Sequence, residues 1–130
     1  MNAYVFECSG NTYLDCIQKG VFGSNKPWPL QVAKGDFCLL HHYEVETLFA
    51  LWRAETDGGK NIVAKAWGGR FPFQAKIALA TPDIIEVPRQ VIDDFVVNPS
   101  TARLDNVIEG ERAQSLIQAL GDLTEIAESE

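Results

Sequence analysis

The side chains able to do chemistry in this chain are two adjacent histidines, three cysteines and one pair of neighbouring aspartates. His41 and His42 follow one another in an apolar stretch that reads as a strand. Neighbours on a strand point to opposite faces, so the two rings cannot grip one metal ion. Neither has a serine or cysteine nucleophile at a recognisable spacing. The expectation is one buried, hydrogen-bonded histidine and one exposed. Cys8, Cys16 and Cys38 contain no C-x-x-C, so no zinc site is expected and the three read as small buried hydrophobes. Asp93 and Asp94 diverge by about 100° on a helix and cannot share a proton, so they read as a solvated face or cap. No G-x-G-x-x-G, P-loop or G-x-S-x-G is present. No catalytic residue, metal or cofactor is therefore expected, and an enzyme ranks last.

The aromatics carry more information. Trp28 and Trp67 lie in Gly/Pro-bearing stretches outside any periodic pattern, and Phe22 precedes Gly23 at a predicted helix exit. Large aromatic rings are costly to leave in water, so they either plug the end of a barrel or line a pocket. Ser24, Asn25, Asn61 and Gln74 are near in sequence and could supply hydrogen bonds. Aromatic walls with amide and backbone edges are the general recipe for holding a flat ring. Trp52, inside a strand, reads as core.

The elements that must position these residues follow from local pattern. Ala3–Cys8 alternates as a strand. Thr12 and Asp15 have capping-box spacing for a helix over Thr12–Lys19, with Leu14 and Ile17 inward and Gly20 as its stop. Gly35-Asp36 turns into a strand over Phe37–Tyr43, and Glu44–Glu46 connects it to Thr47–Ala54, apolar on both faces. Asp57-Gly58-Gly59 and Gly68-Gly69 are turns. Gln74–Ala80 is a strand, Ile84–Val87 a weaker one, and Gln90–Val97 a short helix. Asn98–Asp105 reads as a polar loop. Ala113, Leu116, Ile117 and Leu120 fall on one face of a helix over Glu109–Leu120, which Gly121 is expected to end. The order predicts a single small α+β domain, a mixed β-barrel or strongly curved sheet with peripheral helices and a C-terminal helix.

Composition agrees with one globular domain: 130 residues, 46% hydrophobic and 22% charged. Apolar runs are too short to span a membrane. The first residues lack a basic region followed by an apolar stretch, so no secretory leader is expected. An odd number of cysteines fits a reducing compartment, and a cytoplasmic location is expected. Net charge is −7, and Asp105–Glu130 holds seven acids and one base, −6 of that total. The expected boundaries are a domain over 1–121 and an acidic tail over 122–130. A general basic nucleic-acid surface is not supported. Arg53–Lys76 nevertheless holds five bases (Arg53, Lys60, Lys65, Arg70, Lys76) against two acids, a local +3.

Several motifs resemble the development-and-cell-death (DCD) domain. Phe6-x-Cys8, Asn11-Thr12, Cys16 and Val21-Phe22-Gly23 resemble its opening Phe-x-Cys-Asn-x-x-Thr stretch and Leu-Phe-Gly turn. Leu48-Phe49-Ala50, Ala54, Asp57-Gly58-Gly59-x-Asn61-Ile62 and Ala66-Trp67 resemble its Gly-Gly-x-Asn-Ile…Ala-Trp segment. Phe71-Pro72-x-Gln74-Ala75-Lys76-Ile77 resembles its Phe-Pro-Ala-Gln-Val-Arg-Ile strand. The resemblance covers roughly residues 4–80, with Val21 for the usual Leu, Phe73 for the usual Ala, and a different loop after Gly23. One level up, the order of elements is similar to the PUA, EVE and YTH group of folds. In YTH domains a tryptophan at the helix exit and a second one form a cage for a methylated base. Phe22 aligns with the first, followed by Ser24 and Asn25, and Trp67 with the second. A full aromatic cage is not reproduced. Arg103 falls where that group keeps a polar or basic residue near its pocket.

The resemblance implies a non-catalytic binding module. Its ligand would be a plain or modified nucleobase, a nucleotide or a short single-stranded nucleic acid. The site expected is Phe22, Ser24, Asn25, Trp28, Asn61, Trp67, Arg70 and Arg103. Trp28 would close it, and Arg70 or Lys65 would meet a phosphate. The second reading is a protein-interaction or stress-signalling module using the acidic C-terminal helix or a sheet edge.

Overall fold

The computed structural model describes residues 1–129, with side chains through Asp122. Chain order is β1 (Asn2–Cys8), α1 (Tyr13–Lys19), β2 (Val21–Ser24), β3 (Phe37–His42), β4 (Thr47–Ala54), β5 (Gly59–Lys60), β6 (Phe73–Leu79), β7 (Ile85–Pro88), α2 (Arg89–Val96), β8 (Val107–Glu109) and α3 (Gly110–Ser129). Short 3₁₀ turns sit at Trp28–Gln31 and Ala66–Gly69. One eight-stranded sheet runs β2-β6-β4-β3-β1-β8, with β5 on β6 and β7 on β4. Among the described residues only the β1–β3 pair is parallel. It is the α+β curved sheet with peripheral helices that the element order predicts.

The curvature has a local cause. Cys38 faces Trp52 and Leu40 faces Phe49, so β4 carries one residue more than β3 opposite it. Such a bulge bends its strand and increases its twist. At the same place β4 changes partner on its other edge. Thr47–Ala50 pair with β7, and Trp52–Ala54 pair with β6.

Both faces of the sheet are covered, which is why β4 is apolar and buried from Leu48 to Trp52. The concave side gathers Tyr4, Phe6, Cys8, Leu40, Trp52 and Phe22 under α1 and the 28–31 turn. The other side packs Val5, Leu39, Leu48 and Leu51 against Ile92 and Val96 of α2 and Ala113, Leu116 and Leu120 of α3. All three cysteines are buried and unpaired. Among the described residues no helix is long and apolar enough to cross a membrane.

Four local expectations need correction. Leu14 is 60% exposed, because α1 turns Tyr13, Cys16 and Ile17 to the core and Leu14 lies two residues, about 200°, from Cys16. The Thr12–Asp15 capping box does not form. The Thr12 hydroxyl instead accepts the Ser9 N–H at 2.9 Å, and Asp15 pairs with Lys19. Gly121 does not end α3, which continues to Ser129. Gly20 does end α1, with a φ of 61°, whereas Gly121 is not among the positive-φ glycines. A helical glycine costs only about 1 kcal/mol relative to alanine, too little to stop a helix by itself. The acidic tail predicted at 122–130 falls largely on side chains outside the described residues. Finally, His41 is buried but its ring nitrogens make no hydrogen bond, and His42 is half-buried against Tyr13 and Phe49.

Candidate ligand-binding hollow

The sheet leaves a hollow of about 250 Å³ between the end of β1 and strand β2. Glu7, Cys8, Ser9 and Thr12 form one wall, and Gly23, Ser24, Asn25 and Lys26 the other. Trp28, Tyr43 and Phe71 supply rings, and Asn106 reaches in from the segment before β8. Trp28 is set by the prolines on either side of it, which start the 3₁₀ turn. Its ring lies parallel to Tyr4 at 6.2 Å and tilted on Phe6 at 4.6 Å. Asn106 is anchored by its side-chain amide, which donates to the Val5 carbonyl at 2.8 Å. Ser24 Oγ accepts the Lys26 N–H at 3.1 Å, which shapes the rim.

The hollow mixes charge. Glu7 and Lys26 are its charged members. The His41 imidazole beside Glu7, ahead of the opposing effect of burial, holds that carboxyl below the usual range. Burial pushes the Cys8 thiol up to about 12, far from a thiolate at neutral pH. Among the described residues no group of three metal-ligating side chains comes together.

Of the residues singled out in the sequence, Ser24, Asn25 and Trp28 come together at the hollow. Phe22 does not reach it: the ring is wholly buried between Phe6 and Trp52. Trp67 is 6% exposed and stands behind the hollow, edge-on to Phe71 at 5.5 Å, with its indole N–H directed at the Thr12 carbonyl at 3.5 Å. Arg70 flanks the site. Its Nε donates to the Trp67 carbonyl and its guanidinium lies 5.7 Å from the Phe71 ring centre. Lys65 is exposed in the loop before the 66–69 turn. Asn61 is exposed at φ 55°, and its N–H donates to the Pro72 carbonyl. Arg103 is exposed in the 98–105 loop, where its N–H donates to Thr101 Oγ1. Gln74 is 1% exposed and fully engaged. Its Oε1 accepts the Val63 N–H at 2.7 Å, and its Nε2 donates to the Val63 and Phe71 carbonyls.

Glu7, Ser9, Thr12, Tyr43 and Asn106 also border the hollow, and nothing in their spacing signals it. They span positions 7 to 106 and meet only through the sheet. Lys26 and Phe71 were within reach of inference, being next to Asn25 and inside the Phe-Pro segment.

Several motif residues have structural reasons of their own. A side chain at Gly58 would overlap the Pro29 carbonyl, so only glycine fits there. Asn61 occupies the left-handed region, which asparagine tolerates better than most residues.

This fold is similar to that of a YTH domain. The YTH domain of the Zygosaccharomyces rouxii MRB1 protein, solved in complex with N6-methyladenosine RNA, superposes with a TM-score of 0.61. The match covers 91% of this chain and 85% of that one at 14% identity, which establishes the shared fold. The sequence match is more specific. The family model of the development and cell death domain matches residues 2–104, and the chain belongs to that family. No curated protein matches the sequence.

Proposed function

We propose that this domain is a non-catalytic binding module that holds one flat ring in the hollow between β1 and β2. The ring is the base of a plain or modified nucleotide or of a short single strand. The observation that carries this reading is the hollow itself: Trp28, Tyr43 and Phe71 beside Ser9, Thr12, Ser24 and Asn25. Its volume of about 250 Å³ lies just under the range of about 300–1,000 Å³ usual for drug-sized ligands, which favours a single ring. A fold shared with a domain solved on N6-methyladenosine RNA supports the same ligand class. In this reading Trp67 backs Phe71, Phe22 backs the Phe6 ring on which Trp28 leans, and Arg70 meets a phosphate at the rim.

The test is a titration with plain and modified nucleosides and short single strands at low and physiological salt. Tryptophan fluorescence and thermal shift are the readouts, with Asn25→Ala and Ser24→Ala as variants that leave the core intact. A saturable response weakened in both variants supports the reading. A flat response across the panel overturns it and moves the assignment to protein interaction.

A further inference from the structure

His41 is 3% exposed and sits between two carboxylates, one at each ring nitrogen. Glu7 Oε1 of β1 lies 3.8 Å from Nδ1, and Glu46 Oε2 of the β3–β4 turn lies 3.6 Å from Nε2. Neither nitrogen has a hydrogen-bond partner among the described residues. A neutral imidazole has one donor and one acceptor nitrogen. In either tautomer it therefore turns a lone pair toward a carboxylate. Only the imidazolium has a donor for each.

The surrounding elements are arranged to keep Glu46 in place. Glu46 is held at φ 49°, a backbone region that non-glycine residues seldom adopt. The Arg89 N–H donates to its carbonyl at 2.9 Å, and Arg89 Nη1 pairs with Glu46 Oε2 at 2.8 Å. Arg89 is in turn paired with Asp93 at 3.2 Å. The charged groups around His41 are thus Glu7 from β1, Glu46 from the turn, Arg89 and Asp93 from α2, and Lys26, which acts on Glu7. Across the ladder, β4 presents the apolar Leu48. Arg89 is partly offset by Asp93.

We propose that His41 is a proton-operated clasp. When charged, it ties the end of β1 to the β3–β4 turn and, through Glu46 and Arg89, to α2. When neutral, it releases Glu7 and Glu46. Glu7 also borders the hollow, so the clasp fixes one of its walls. The clasp is closed where the ring is protonated and both carboxylates are ionised, and open where the ring is neutral.

The test needs no ligand. The ring ¹⁵N shifts of the two histidines are followed from about pH 5 to 8 in the wild type, Glu7→Gln and Glu46→Gln. Both glutamates are half-exposed, so the variants fold. The imidazolium signature of His41 should persist to higher pH in the wild type than in either variant. His42, on the opposite face of β3, should not change. An unchanged His41 signature in both variants overturns the proposal, as does a wild-type ring that stays neutral throughout.

Discussion

Gly23 lies flat against Trp67: a β-carbon at residue 23 would come within 2.7 Å of the indole Cζ3 and 3.0 Å of the Phe71 carbonyl. The glycine of the Phe-Gly turn and the tryptophan of the Ala-Trp segment are one structural feature. Together they set how close β2 comes to the 66–71 loop, and so the depth of the hollow. Gly23→Ala should cost about 1–3 kcal/mol, the usual penalty for overpacking. A urea melt should show the loss. In Gly23→Ala/Trp67→Phe the smaller ring should recover part of it.

Gln74 is the second strut. It is buried and clamps the loop above it by both carbonyl and amide. Gln74→Leu keeps the volume and takes the Gln74 partner from Val63 N–H and the Phe71 carbonyl, while the Val63 carbonyl keeps the Ala66 N–H at 3.1 Å. The expected loss is about 1–3 kcal/mol for each group left buried and unsatisfied. Amide exchange should accelerate at Val63 before it does in β3. Equal stability of Gln74→Leu and the wild type would show that the loop is held by its apolar contacts instead.

Gly58 is where only glycine fits, because its backbone crosses that of Pro29 and its N–H donates to Val32 at 2.9 Å. Gly58→Ala should be more damaging than Gly59→Ala, whose β-carbon would meet only the Ile62 side chain at 3.4 Å. Thermal melts of the two variants give the order directly.

Acid should weaken the fold partly through Glu7. Its carboxyl is held below its ordinary value of 4.5 by His41. A depressed carboxyl contributes stability above the unfolded titration and loses it as pH falls through the folded one. The stability gap between wild type and Glu7→Gln should therefore be open above the ordinary value of 4.5 and close as pH falls through the lowered Glu7 titration. A gap independent of pH over that range would mean that Glu7 contributes packing alone.

The sheet was legible in the sequence because its strands alternate or run apolar, as at Ala3–Cys8 and Thr47–Ala54. The three residues of β8 are too few to show a period, and they pair with β1 from more than one hundred positions away. Leu14 misled because a seven-residue helix offers two candidate stripes, and hydrophobicity chose the wrong one. The site was half legible for a related reason. Ser24, Asn25 and Trp28 are local to one loop, whereas Glu7, Tyr43 and Asn106 are assembled only by strand pairing. Large loop aromatics marked the right region, but their sequence positions could not distinguish the ring that faces the hollow from the one that backs it.

The central claim is that the hollow between β1 and β2 is where this domain binds a base. Amide and tryptophan side-chain shifts, mapped while nucleosides and short single strands are titrated in, test it most directly. The account predicts saturable shifts concentrated at Ser9, Ser24, Asn25, Trp28 and Asn106, with Asn61 and Arg103 unmoved. Saturable shifts confined to α3 or to the outer edge of β8, or none at all, would contradict it.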